Sequence, residues 1–168
     1  MAISMYQATV PTVIRALENL AAVLDKASQQ IDAKKTPPEA YVNARLYPDM
    51  FPLAKQVQIA SDVSKGGCAR LAQVDAPSFE DNETTFPQLI ERTRKTIDFL
   101  KTLKPEQIDG SEDRTVTWKT RTSERSMKGQ PYLLNHVLPN VFFHCATAYD
   151  ILRHNGVELG KQDFLGKP

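Results

Sequence analysis

Tyr132-Leu-Leu-Asn-His-Val-Leu-Pro-Asn-Val-Phe-Phe-His-Cys-Ala-Thr-Ala-Tyr-Asp-Ile-Leu-Arg-His-Asn155 is the stretch whose reading decides the fold. Between Val137 and Tyr149 it is apolar nearly all round, which predicts a helix that others enclose. The same stretch holds all three histidines, His136, His144 and His154. Pro139 predicts either a kink or a helix that starts near Leu138. Asn155-Gly156 closes it, because glycine readily takes the left-handed conformation that ends helices.

Working outward, three more amphipathic stripes precede this helix. Tyr6, Val10, Val13, Leu17, Leu20, Leu24, Ala27 and Ile31 alternate four and three apart, as one face of a long helix does. Ser4 suits its cap, while Pro11 predicts a kink or a start nearer Val10; Lys34 to Pro38 mark its end. A second helix is expected after Pro48, Asp49 and Pro52, with Asp49 as N-cap. Its stripe, Leu53, Val57, Ala60, Ser64, Gly67 and Leu71, grows small toward the end, which predicts close approach of another helix. Gly66-Gly67 costs about 1 kcal/mol per glycine against alanine, so packing must hold that turn.

Thr84 or Thr85 caps a third helix carrying Phe86, Leu89, Ile90, Thr93, Ile97, Leu100 and Leu103, with Pro87 tolerated in its first turn and Pro105 as its stop. Thr115 to Lys119 then alternates like a strand, and Thr122 to Met127 is its expected partner, anchored by Trp118. The tail from Val157 to Pro168 carries Leu159, Phe164 and Leu165 and is expected to dock back on the bundle. The architecture is all-α: an antiparallel four-helix bundle, with a short β-hairpin before the last helix, forming a single domain over 1–168.

Composition narrows the function classes. Length and 41% hydrophobic content fit one buried core. A formal charge of +1 gives no net field toward nucleic acid or an anionic membrane, and neither partner is expected. No apolar run approaches the roughly 20 residues of a membrane span, and the N-terminus lacks a secretory pattern; cytoplasmic localisation is the default. Cys68 and Cys145 read as buried, reduced thiols. Arg92, Arg94 and Lys95, alternating with Glu91 and Asp98, read as a solvated face. There is no phosphate loop, nucleophile elbow or metalloprotease helix.

Met5-Tyr6-Gln7-Ala8-Thr9-Val10-Pro11, Leu46-Tyr47-Pro48-Asp49-Met50-Phe51-Pro52-Leu53, and the segments Asn140 to His144, Leu152 to Val157 and Asp163 to Gly166 resemble an uncharacterised bacterial and fungal family. That family is similar in fold to the DinB-like (DinB and YfiT) four-helix bundles. The resemblance implies a divalent metal, zinc or nickel, held by one histidine of the second helix and two, four apart, of the last, and it implies kinship with thiol-dependent transferases. Spacing of four sets two imidazoles on one helical face. In this chain His144 falls at one ligand position and Asn140 at the other. The second helix offers only Gln56, Gln58 and Asp62 in place of a histidine.

The candidate pocket residues are therefore His144, Asn140, His136, Gln56 and Asp49, with His144 alone as a metal ligand. Each has a plainer reading. His144 reads also as a core histidine bonded to a neighbouring helix, His136 and Asn140 as a polar seam with Asn140 bonded to either histidine, and Asp49 as a cap. His154 suits a helix end. Cys145 adjoins His144 in sequence but diverges around the helix, which discounts a thiol–imidazole pair. Two functions from different classes follow: a module with a degenerate metal site that binds a small molecule or pairs into a homodimer, or a metal- or histidine-dependent transferase or hydrolase in which His144 acts and Asn140 orients.

Overall fold

The computed structural model describes residues 2–120 and 122–167; Met1, Arg121 and the tail's last residue, Pro168, lie outside them. Four long helices form the bundle: α1 (Met5–Ala33), α3 (Leu53–Ala72), α4 (Phe86–Lys101) and α7 (Leu138–His154). The chain also forms short helices α2 (Pro38–Val42), α5 (Pro105–Ile108), α6 (Gly129–Tyr132) and α8 (Lys161–Leu165), and strands β1 (Thr115–Lys119) and β2 (Glu124–Lys128). Around the bundle α1 lies between α4 and α7, and α3 lies between the same two. The consecutive helices α1 and α3 are thus diagonal, which a tight turn would not permit; the long connection through α2 does.

Local chemistry sets the helix limits. Ser4 Oγ accepts from the Gln7 N–H at 3.2 Å while Gln7 Oε1 accepts from the Ser4 N–H, also at 3.2 Å, a reciprocal cap. The helix begins at Met5 and not near Val10. Pro11 leaves the Gln7 carbonyl without its usual donor, and the Thr12 hydroxyl approaches that oxygen at 3.4 Å. Thr85 and Gln88 cap α4 in the same way. Asp49 does not cap α3: it sits in an exposed turn, and Pro52 holds the N-cap position. The Leu53 N–H donates to the Ala44 carbonyl at 2.9 Å, so backbone closure of the 44–53 loop supplies the start that a capping side chain would have given.

The last helix is entered through a π-helical turn, Leu133–Val137, where the Leu138 N–H reaches back to the Leu133 carbonyl. In a regular helix the Pro139 ring would strike the carbonyl of Asn135; the wider turn just before it relieves that clash. Val137 from this turn is fully buried and sits where a Cβ on Gly67 would lie 2.7 Å from its Cγ1. The small-residue stripe of α3 therefore serves the close approach expected of it. The expectation that α7 is enclosed on every side fails: Phe142 and Phe143 are 41% and 57% exposed. At its far end Gly156 has φ +84, and the tail folds back. There Lys26 pairs with Asp163 at 2.9 Å and Asn19 Nδ2 donates to the Phe164 carbonyl at 3.0 Å.

The α3–α4 face also departs from expectation. Arg92, read as solvated, is only 3% exposed. Its guanidinium meets Asp62 at 2.8 Å, Asp81 at 3.0 Å, Glu83 at 2.9 Å and the Glu80 carbonyl at 3.0 Å. Lys65 pairs with Asp62 and Lys55 with Asp81, so three cations face three carboxylates. Burial alone would raise the Asp81 carboxyl, but Lys55 and Arg92 outweigh it and hold its pKa below the ordinary value. This network fastens the loop before α4 to both helices.

Two mutational outcomes follow. Gly67→Ala should destabilise by about 1–3 kcal/mol through overpacking against Val137. Gly66→Ala, whose Cβ would meet only the far end of the long Arg70 side chain, should be neutral or stabilising by up to about 1 kcal/mol. Arg92→Ala should cost roughly 2–4 kcal/mol, because it strands carboxylates that can only partly rehydrate, while Lys95→Ala should stay within about 0.5 kcal/mol. Urea unfolding of the four variants measures both contrasts.

Candidate functional site

A side-chain relay links the second long helix of the bundle, α3, to the last, α7. His144, on α7, is 8% exposed, and its Nδ1 lies 2.7 Å from Gln56 Oε1 on α3. Gln56 Nε2 donates to the Phe51 carbonyl at 3.1 Å. A carbonyl can only accept, so this bond fixes the amide orientation and leaves Oε1 as the acceptor facing His144. Nδ1 must then carry the proton. Burial lowers the His144 pKa below its ordinary value, which favours the neutral ring, with its lone pair on Nε2.

The five sequence candidates do not assemble into one site. His144 and Gln56 meet. Asn140 does not reach either histidine ring; its Nδ2 donates to the His136 backbone carbonyl at 2.6 Å, answering a carbonyl at the π-helical turn. His136 belongs to a separate aromatic group, 4.6 Å from Trp118 and 5.3 Å from Tyr132 between ring centroids. Asp49 stays on the surface. Gln58 and Asp62, the other polar substitutes on the second helix, turn to Glu83 and to Arg92 and Lys65. The register is thereby resolved: Gln56 is the α3 residue that faces His144.

The donor set does not fit the implied zinc or nickel ion. Such a site needs about three protein ligands of histidine, cysteine or carboxylate type. Here His144 offers one nitrogen, and both groups of the Gln56 amide and the Asn140 amide nitrogen are engaged elsewhere. Among the described residues no three His, Cys, Asp or Glu side chains stand together as a metal site. Neither cysteine offers a nucleophile: burial pushes Cys68 and Cys145 up to about 12, which keeps both protonated and poorly nucleophilic.

Apolar groups gather at the relay. Phe143, beside His144 in sequence, meets its ring edge-on at 5.2 Å, and Phe51, whose carbonyl ends the relay, is 55% exposed. The family position pointed to His144 and left Gln56 beside Gln58 and Asp62 as second-helix candidates, but the link to Phe51 had no sequence signal, since it runs through a backbone carbonyl.

Gln56→Leu should destabilise by about 1–3 kcal/mol by leaving the buried Nδ1–H unpaired. The pH dependence has a definite sign. With its folded pKa below the unfolded value near 6.5, His144 contributes stability that is present above about pH 6.5 and lost as pH falls through the folded pKa. Unfolding free energies measured from about pH 7.5 to 5 should decline toward acid. The decline should be shallower in His144→Leu, and His136, also lowered, should retain part of it.

Comparison with known proteins places this geometry. The model of a domain of unknown function, DUF1993, matches residues 5–165. A crystal structure described as a DinB family member protein from Shewanella denitrificans superimposes with a TM-score of 0.88 at 36% identity, covering 97% of this chain and 92% of that one. No curated protein matches. Among the described residues no helix is long and apolar enough to cross a membrane. The helix order, the hairpin before the last helix and the family match agree, and the chain belongs to the DUF1993 family of DinB-like bundles, whose function is unknown.

Proposed function

We propose that this protein is a metal-independent binding module, a DinB-like bundle whose former metal position now orients a small molecule. The observation that carries this reading is the His144–Gln56–Phe51 relay: a hydrogen-bonded helix-to-helix link with one histidine stands where three ligands would be needed. The exposed Phe143 ring, edge-on to His144, suits a ligand with an apolar body, and Phe51, whose carbonyl ends the link, is exposed as well. Self-association is the second reading, favoured by exposed Phe142 and Phe143 on the last helix and exposed Leu134 in the turn that enters it. A histidine-dependent transferase or hydrolase is less well supported, since among the described residues the partner of His144 Nδ1 is the Gln56 amide and not a carboxylate.

Elemental mass spectrometry on untagged protein, with His144→Ala alongside, tests the metal-independent reading. Both proteins should carry zinc and nickel far below one equivalent. Near-stoichiometric metal in the wild type that disappears in the variant would overturn it. Sedimentation velocity on wild type and Phe143→Asp decides the second reading, which requires a dimer that the substitution dissociates.

A further inference from the structure

The hairpin and the π-helical turn build a second cluster, apart from the His144–Gln56 pair. Trp118, Tyr132 and His136 form a three-ring group, with centroids 4.6 to 5.3 Å apart. Trp118 and Tyr132 are buried while the His136 ring is only partly covered, so His136 is the ring presented outward. Arg70 approaches from α3, its Nη1 donating to the Tyr132 hydroxyl at 3.2 Å. Arg125 approaches from β2, directly across from Trp118 in the strand register, and cross-strand partners share a face.

What makes this cluster unusual is its charge. Among the described residues neither Arg70 nor Arg125 has a carboxylate within ion-pair distance, although Arg92 on the same bundle is matched by three. Over 114–128 the sequence carries five Arg and Lys residues against one acid, Glu124, so the hairpin is basic in a chain that is nearly neutral overall. Arg114 is committed elsewhere, donating to the Leu71 carbonyl at 2.7 Å. Arg70 and Arg125 remain exposed, and Arg70 keeps further guanidinium donors beyond the one given to Tyr132.

We propose that Arg70, Arg125 and His136 form a binding site for a small oxyanion, a phosphate or carboxylate group, at the junction of the hairpin and the π-helical turn. Guanidinium groups match such oxyanions with paired, charge-assisted hydrogen bonds. The buried Trp118 and Tyr132 rings hold His136 in place from behind. Consistent with a site short of negative charge, His136 is lowered below its ordinary pKa by burial first and then by Arg125 and Arg70. The site does not depend on the metal-independent reading of His144, since it shares no residue with it.

Trp118 is the sole tryptophan, so its emission reports on this cluster alone. The experiment titrates full-length protein with inorganic phosphate and, separately, with benzoate, at constant ionic strength set by chloride. A saturable change in Trp118 emission is expected with at least one of them, with affinity reduced tenfold or more in Arg125→Gln and in Arg70→Gln. Arg94→Gln, on α4, should leave it unchanged. Saturation by phosphate alone assigns a phosphate group, and by benzoate alone a carboxylate. Circular dichroism establishes that each variant is folded. A response that is linear, that chloride reproduces, or that survives both arginine substitutions would overturn the proposal.

Discussion

The close contact between α3 and the final helical segment is the constraint on which the rest of the structure depends. It is tight because Gly67 has no side chain where Val137 arrives, and Val137 arrives there from a π-helical turn that accommodates Pro139. Once those backbones are this close, Gln56 and His144 come within hydrogen-bonding distance farther along the same pair of helices. A buried imidazole without a partner would be costly, and the amide removes that cost. Packing and polar satisfaction therefore select the same register.

That register bears on function. The family resemblance implies an ion between these two helices. Here they are joined by an amide whose other end is fixed on the Phe51 carbonyl, so the loop leading into α3 is tied to the last helix as well. The link is neutral and directional. The Phe143 ring meets the His144 end of the link edge-on, and the Phe51 backbone closes the other end. On the opposite face of α3 the Arg92 network fastens the loop before α4, so the two sides of one helix are stabilised by different physics.

Much of this was legible in the sequence, for identifiable reasons. Alternating spacing located the long helices, Ser4 and Thr85 marked two starts, and the alternation around Trp118 found the hairpin, because each signal is local. Asp49 misled because a good capping residue is informative only if the chain stops there, and a backbone bond from Leu53 to Ala44 places the start later. Arg92 misled because charge was read without position: it lies between the buried Leu89 and Thr93, and the preceding loop supplies Glu80, Asp81 and Glu83 as its partners. Pro139 signalled a departure near 138 without specifying a π-helical turn, and the pairing of His136 with Trp118 depends on contact between distant segments, which no local pattern encodes.

The central claim is that His144 is a helix-to-helix hydrogen-bond donor through Nδ1, and the protonation state of its ring tests this most directly. Long-range nitrogen–proton correlation NMR distinguishes the two neutral tautomers and the metal-bound ring. The account predicts His144 as the neutral Nδ1–H tautomer at neutral pH, unchanged by a chelator and disturbed in Gln56→Leu. An Nε2–H tautomer, or a ring whose nitrogen shifts move when the chelator is added, would contradict it.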